Sequence, residues 1–255
     1  MKARTFPGVI AWAAALIALL AAGPMWSLAF GRMSIGGDWR AATHRPSGLA
    51  PDPATHDDAV VQIYASRAFG WRGAFAVHTW IAAKATGAER YTRYEVIGWY
   101  ARGGGSAVAV SSVTTPDTQW FGATPTVLRD IRGAAADAIA AKLPLAVAAY
   151  PFERSYSAWP GPNSNTFTAY VARAIPEMRL ALPANAIGKD YLPLGEFVVR
   201  APSGTGYQVS LAGLLGALAG ADEGIELNVL GLVVGIDLRS PAVKLPGIGR
   251  VPSGV

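Results

Sequence analysis

The hydrophobic pattern begins with a long apolar segment near the N-terminus. Residues 9–30 contain no charged side chain over 22 positions, which is enough for a helix to span a hydrocarbon layer of about 30 Å. The uninterrupted apolar part ends at Ala22, and that shorter length also fits the core of a signal peptide, with Ser27 to Ala29 resembling a cleavage site. We expect residues 1–30 to form a retained transmembrane helix, and a cleaved signal is the alternative.

The pattern then changes to a polar connection and a mixed region. Residues 31–58 combine glycine, proline and scattered charges without a period, which is typical of a flexible tether. Alternating apolar segments begin near residue 59. We therefore predict an α+β core domain over residues 59–192 and a C-terminal β-rich extension over residues 193–255.

Short β-branched and aromatic runs predict the strands of the core domain. They lie at residues 60–67, 74–84, 90–100 and 107–113. The second and third are joined by a short glycine-containing connection, which is typical of an antiparallel hairpin. Helical spacing predicts helices at residues 134–143, where Pro144 ends or kinks the helix, and at residues 164–175. The fold class is therefore α+β, with an antiparallel sheet packed against helices.

The last part of the chain also has a strand pattern. Residues 196–201 and 207–212 flank a glycine-containing turn, which predicts a hairpin. Residues 225–238 predict one long apolar strand, bent at two glycines. Residues 211–220 are apolar but too short to span a bilayer. We interpret them as a buried turn and helix, or as a surface that leans on a membrane.

Composition excludes several classes of function. The chain has 51% hydrophobic residues and no cysteine, so it can form a sizeable core but no disulfide and no thiolate site. The net charge of +5 is spread along the chain rather than in one stripe, so we expect no nucleic-acid partner. Histidine and acidic residues around His56 lack further ligands at a recognisable spacing, and we expect no metal site and no cofactor.

The segment "PGPNSNTF", residues 160–167, raises the question of catalysis. Asn163 and Ser164 are both residues that commonly cap a helix N-terminus. Ser164 would act as a nucleophile only with a hydrogen-bonded base and an oxyanion hole. The first backbone N–H groups of the helix, those of Asn165 and Thr166, lack intrahelical partners and are candidates for that hole.

His78 is the candidate base, because it lies in a predicted strand and a neutral imidazole accepts protons near neutral pH. The alternative is a histidine satisfied within the core. Glu95, in the next predicted strand, is the nearest carboxylate in sequence that could orient the imidazole, but its face depends on the strand register. Arg72, in the turn before the His78 strand, either binds an anionic substrate or pairs with a surface acid.

Four segments carry a resemblance to a known family: "GWRGAFAVHTWIAAK", "YTRYEVIGW", "YSAWPGPNSNTF" and "AIGKDY". Together they resemble the uncharacterised bacterial domain-of-unknown-function family 3750, from about residue 59 to 192. The resemblance implies a bacterial envelope setting and assigns no activity.

A second resemblance is to permuted papain-like folds of the NlpC/P60 and lecithin-retinol-acyltransferase type. In those folds a strand histidine precedes a cysteine at a helix start, and here Ser164 stands at the cysteine position and His78 in the histidine role. The resemblance implies a serine hydrolase or acyltransferase, or a relic of one that only binds. Catalysis would use Ser164, His78 and Glu95, and the substrate site would include Arg72, Trp80, Asn163 and Asn165.

Two functions follow from these observations. The first is a membrane-anchored envelope protein that binds a cell-wall peptide or lipid through an aromatic-lined groove, because five tryptophans occur around the same motifs. These are Trp71, Trp80, Trp99, Trp120 and Trp159. The alternative is a serine hydrolase or acyltransferase acting on amide or ester bonds. In both cases we expect a single-pass protein of the inner membrane, with its folded domain outside the cytoplasm.

Overall fold

The computed structural model describes residues 7–30, 40 and 42–252. The helices are α1 (Pro7–Phe30), α2 (Gly98–Ala101), α3 (Gly133–Ala148) and α4 (Ser164–Ala174), with 3₁₀ turns at Gly70–Ala74 and Pro176–Met178. The strands are β1 (Val60–Arg67), β2 (Val77–Lys84), β3 (Thr92–Val96), β4 (Val108–Ser111), β5 (Thr126–Arg132), β6 (Val198–Arg200), β7 (Gly206–Leu211), β8 (Leu215–Gly220), β9 (Gly224–Val229), β10 (Leu232–Asp237), β11 (Ala242–Leu245) and β12 (Gly249–Val251).

The first five strands form an antiparallel sheet in the order β4-β3-β2-β1-β5. Helices α3 and α4 cover one face of this sheet. The main core lies between the sheet and the two helices, and it includes Ile63, Ile81, Ile139 and Phe167. Side chains alternate between the faces of a strand, so this face takes every second residue of β1, β2 and β3. The predicted α+β fold with an antiparallel sheet packed against helices is confirmed.

The opposite face of this sheet is covered by loops. Tyr64 and Trp80 stack there with ring centroids 5.3 Å apart, and the Trp80 indole donates a hydrogen bond to the Pro116 carbonyl. The Leu49 N–H donates to the Asp117 carboxylate at 2.6 Å. The expected tether contacts the sheet at Leu49, Pro51 and Asp57, whose carbonyls accept hydrogen bonds from Gln62, Tyr91 and Lys84. Residues 31–39 and 41 lie outside the described residues.

The C-terminal strands form a second sheet, a seven-stranded meander in the order β12 to β6. Here two predictions were wrong. Residues 211–220 form a turn and strand β8 rather than a helix, because alternate residues can face opposite sides of a sheet even in an apolar run. The predicted long strand over residues 225–238 is two strands, since the chain reverses at Leu230 and Gly231, both with positive φ.

Helix α3 and the edge strand β5 also differ from the sequence-based predictions. Helix α3 continues past Pro144 to Ala148, so the helix does not end at Pro144, and a kink there stays a prediction. Strand β5, "TVLRDIR", was not predicted, because its charges and its exposed edge position hide the alternation.

Helix α1 rests on the C-terminal sheet through one stripe. Leu20, Gly23, Pro24 and Ser27 are buried, and the Ser27 hydroxyl lies 3.4 Å from the Gly247 carbonyl. Within the described residues, no helix combines the length and the hydropathy that a membrane crossing requires. The predicted transmembrane span is therefore unsupported.

Candidate functional site

The candidate site lies on the loop-covered face of the first sheet, where β2 and β3 bring an imidazole, a carboxylate and a guanidinium together. His78 Nε2 lies 2.9 Å from Glu95 Oε2, and Arg93 donates to the same oxygen at 2.8 Å. Ala82 pairs with Arg93 across the two strands, so alternation puts all three side chains on one face. The register that the sequence left open thus places Glu95 beside His78.

Aromatic rings enclose this charged group. The His78 ring stacks on Trp120 with centroids 3.7 Å apart and an interplanar angle of 9°. The Arg93 guanidinium lies over Trp80, 4.3 Å from the ring centroid, which is a cation–π geometry. The Trp99 ring stacks on Trp120 with centroids 6.3 Å apart and an interplanar angle of 21°. The result is a three-ring stack from His78 through Trp120 to Trp99.

Burial and charge fix the protonation state of the pair. Burial lowers the pKa of His78 below its usual value, although the hydrogen bond and charge of Glu95 act in the opposite direction. Burial alone would raise the pKa of Glu95, but the hydrogen bond with His78 and the charge of Arg93 lower it below its usual value. At neutral pH the histidine is therefore neutral and the carboxylate ionised.

This protonation state assigns the two ring nitrogens. An ionised carboxylate only accepts hydrogen bonds, so Nε2 of His78 carries the proton that it donates to Glu95. The other nitrogen, Nδ1, is then an acceptor, and it has no hydrogen-bond partner among the described residues. The site holds one oriented base with a free lone pair.

The helix start at "PGPNSNTF" is capped by Asn163 and not by Ser164. The Asn163 side-chain oxygen accepts hydrogen bonds from the N–H groups of Asn165 and Thr166, at 2.9 and 3.2 Å. The Thr166 hydroxyl completes a capping box with the Asn163 N–H. The two N–H groups that the sequence offers as an oxyanion hole are therefore already occupied by the cap.

Ser164 is buried at the first position of α4, but the structure does not bring it to His78. Thr79, the neighbour of His78 in β2, bonds the Ser164 carbonyl and the Asn165 side chain at 3.3 and 2.9 Å. Because adjacent strand residues face opposite sides, His78 points away from α4. In the part of the chain that the structure describes, the Ser164 hydroxyl makes no hydrogen bond.

The other predicted site residues have structural partners or lie at the surface. Trp80 is fully buried. The Asn165 amide donates to the carbonyls of Val77 and Ile187, and Asn163 is held in the cap. Arg72 is exposed beside Trp71, 5.5 Å from that ring centroid. Of the four residues expected at a substrate site, only Arg72 is free to meet a ligand.

An exposed aromatic surface lies next to the buried charged group. We define the aromatic surface as Trp71, Trp99, Tyr100 and Tyr156, which are each 41–57% exposed. Tyr156 packs against the backbone of Gly98, where a Cβ would come within 2.4 Å of its ring. Burial raises the pKa of Tyr156, while the positive charges of Arg72 and Arg102 lower it, so both cations lie near this phenol.

Sequence reasoning missed Arg93. In "RYTRYEV", Arg93 and Glu95 are two residues apart, and two-residue spacing in a strand is the signal that could have found the pair. Trp159, the fifth tryptophan, lies elsewhere and donates to the Leu230 carbonyl. Among residues 7–30, 40 and 42–252, no group of three histidine or acidic side chains is placed to hold a metal ion.

Comparison with known proteins supports one of the two resemblances. A family model described as a protein of unknown function (DUF3750) matches residues 58–191, a region that contains both His78 and α4. No curated protein and no solved structure matches the chain, so nothing supports the likeness to permuted papain-like folds. The chain belongs to the DUF3750 family of proteins of unknown function.

Proposed function

We propose that this protein binds an anionic cell-wall peptide through the aromatic surface. The observation that carries the proposal is the stack of Trp99 on Trp120 and of Trp120 on His78. Trp99 stacks on Trp120 while about half of Trp99 remains exposed. A fixed exposed ring loses little conformational entropy when a ligand packs on it.

The charges around the aromatic surface indicate the ligand class. Arg72 and Arg102 lie near Tyr156, and a guanidinium binds carboxylates in a bidentate geometry. Cell-wall peptides carry free carboxylates beside small apolar side chains. Trp99 and Tyr156 would bind the apolar part of such a peptide, and the arginines its carboxylate.

Membrane location remains a second part of the proposal. Helix α1 leaves large apolar side chains exposed, including Trp12, Ile17, Trp26 and Phe30. We propose that they associate with the inner membrane of a bacterium and that the folded domains lie outside the cytoplasm. Protease treatment of intact spheroplasts tests this topology, because the protease reaches only domains that lie outside the cytoplasm.

Co-sedimentation with purified cell-wall sacculi tests the binding proposal. We expect Trp99→Ala to lose most of the bound fraction, since stacking on one aromatic ring contributes about 1 kcal/mol, while Leu145→Ala keeps it. Leu145 is 79% exposed on α3 and is the matched control. Equal binding by both variants would contradict the proposal, as would sedimentation of neither the wild type nor the control.

The serine hydrolase expected from the second resemblance has no observation in its favour, because no base among the described residues bonds the Ser164 hydroxyl. A serine-directed fluorophosphonate probe tests this alternative. Labelling that disappears in Ser164→Ala would establish it, and we expect no such labelling.

A further inference from the structure

The C-terminal sheet has its apolar side outward. Cross-strand pairing places Val209, Ala217, Leu227 and Val234 in one row on the outer face. The next row contains Tyr207, Ala219, Ile225, Ile236, Val243 and Val251. From β7 to β12 every outward-facing side chain is apolar or tyrosine, and none is charged.

The inner side of the same sheet carries most of its polar residues. Glu226 is buried between Lys189 and Lys244, and both ammonium groups bond its carboxylate. Asn228 donates to the buried Asp190 carboxylate at 3.1 Å. A sheet with one buried face normally places its apolar residues inward. This sheet instead contacts the core domain through the Lys189–Glu226 ion pair and hydrogen bonds. Leu218 and Val233 are buried on its inner side, but most of its apolar residues face outward.

Exposed apolar side chains form two neighbouring rows on the outer face. Leu227 is 54% exposed and Val209 is 50% exposed, and their neighbours in both rows are similar. Soluble monomers rarely expose a contiguous apolar patch above a few hundred Å², and larger patches mark protein or membrane contacts. The outer face is therefore a candidate contact surface.

Helix α1 brings a second apolar surface to the rim of this sheet. Gly23 lies against the carbonyl of Pro246, where a Cβ would come within 1.9 Å, and Ser27 reaches Gly247. Both contacts are on the turn between β11 and β12. Met25 and Trp26, which lie next to this stripe on α1, are exposed.

We propose that the outer face of the C-terminal sheet lies on a lipid bilayer. A second copy stacked sheet to sheet would cover the sheet and leave the exposed side chains of α1 in water. A bilayer covers both, and an uncharged outer face meets the requirement of the hydrocarbon region. Arg200, the one charged outward residue of the edge strand β6, is placed to meet lipid phosphate. This inference rests on the proposed membrane location.

Spin labelling tests the proposal directly, because the chain contains no cysteine. Single nitroxides are attached to the full-length variants Leu227→Cys, Met25→Cys and Leu145→Cys. The proteins are reconstituted in vesicles of phosphatidylethanolamine and phosphatidylglycerol. The measurement is the collision rate of each label with oxygen, which concentrates in lipid, relative to a water-soluble nickel chelate.

We expect the oxygen-to-nickel ratio to be several-fold higher at positions 227 and 25 than at position 145. A high ratio at position 25 with a low ratio at 227 would overturn the sheet proposal and leave the membrane location intact. Low ratios at both would overturn the membrane location as well. A label at 227 that neither reagent reaches, with dipolar broadening between copies, would replace the bilayer by a second chain.

Discussion

Thr79 donates a hydrogen bond to the Asn165 side chain at 2.9 Å, and this contact shows which side of the sheet the neighbouring His78 faces. Thr79 faces α4, so His78 faces the other side of the sheet. There it meets Glu95 and Trp120 rather than Ser164. The histidine and the serine of the expected catalytic pair therefore belong to different faces.

The protonation of His78 is predicted to limit stability in acid. Because burial depresses its pKa in the folded state, only the unfolded chain takes up the proton just below the ordinary value of 6.5. The free energy of unfolding should therefore decrease as the pH drops through this range. Denaturant titrations across pH measure the effect.

His78→Gln is the matched variant for this prediction, since its amide can still donate to Glu95 but does not titrate. We expect its stability to change less with pH than that of the wild type between neutrality and mildly acidic pH. Parallel curves for the two proteins would show that His78 is not the titrating group.

Asn163 and Ser164 should differ sharply as alanine variants. The Asn163 side chain accepts two helix N–H groups and donates to two carbonyls, those of Ala158 and Ile187, so Asn163→Ala should cost about 2 kcal/mol of unfolding free energy. Ser164→Ala should change it by less than about 0.5 kcal/mol, because its hydroxyl has no partner among the described residues. Urea denaturation compares the two, and a larger loss in Ser164→Ala would contradict the assigned cap.

Asp190 is predicted to destabilise the protein at neutral pH. Burial raises its pKa from 3.8 to about 6, against the opposing charges of Lys189 and Arg173. Ionising it in the folded state therefore costs free energy above about pH 6. Asp190→Asn should stabilise by up to about 3 kcal/mol at neutral pH, since one pKa unit equals about 1.4 kcal/mol.

The gain from Asp190→Asn should disappear as the pH approaches 3.8, where the carboxyl is protonated in both states. Thermal unfolding at several pH values tests this dependence. A variant that is less stable at every pH would show that Asp190 works as a required charge partner of Lys189.

Local sequence signals predicted the core domain better than the C-terminal extension. The β-branched run at residues 60–67 and the helix start at Ser164 match the structure, because strand propensity and capping chemistry are local. The turn in residues 225–238 was missed, since an apolar run with glycines does not distinguish a bend from a reversal. The polar inner face of the second sheet depends on ion pairs with Lys189, which is distant in sequence.

The candidate site was predicted in part. The sequence singled out His78 and Glu95 as a pair, but the catalytic role given to them with Ser164 remains a prediction. The side on which His78 faces could not be derived, because it depends on which strand residues contact α4. Arg93 and the stack on Trp120 also depend on the register and on the path of a distant loop.

The central claim is that ligand binds on the face of His78 and Trp99 and not at the start of α4. Chemical-shift mapping with soluble cell-wall peptide fragments tests it most directly. We expect the indole signals of Trp99 and Trp120 to shift, while the amide signals of Ser164 and Thr168 stay unchanged. Shifts centred on Ser164 and Asn165, with Trp99 unaffected, would contradict this claim and show that the ligand binds at the start of α4.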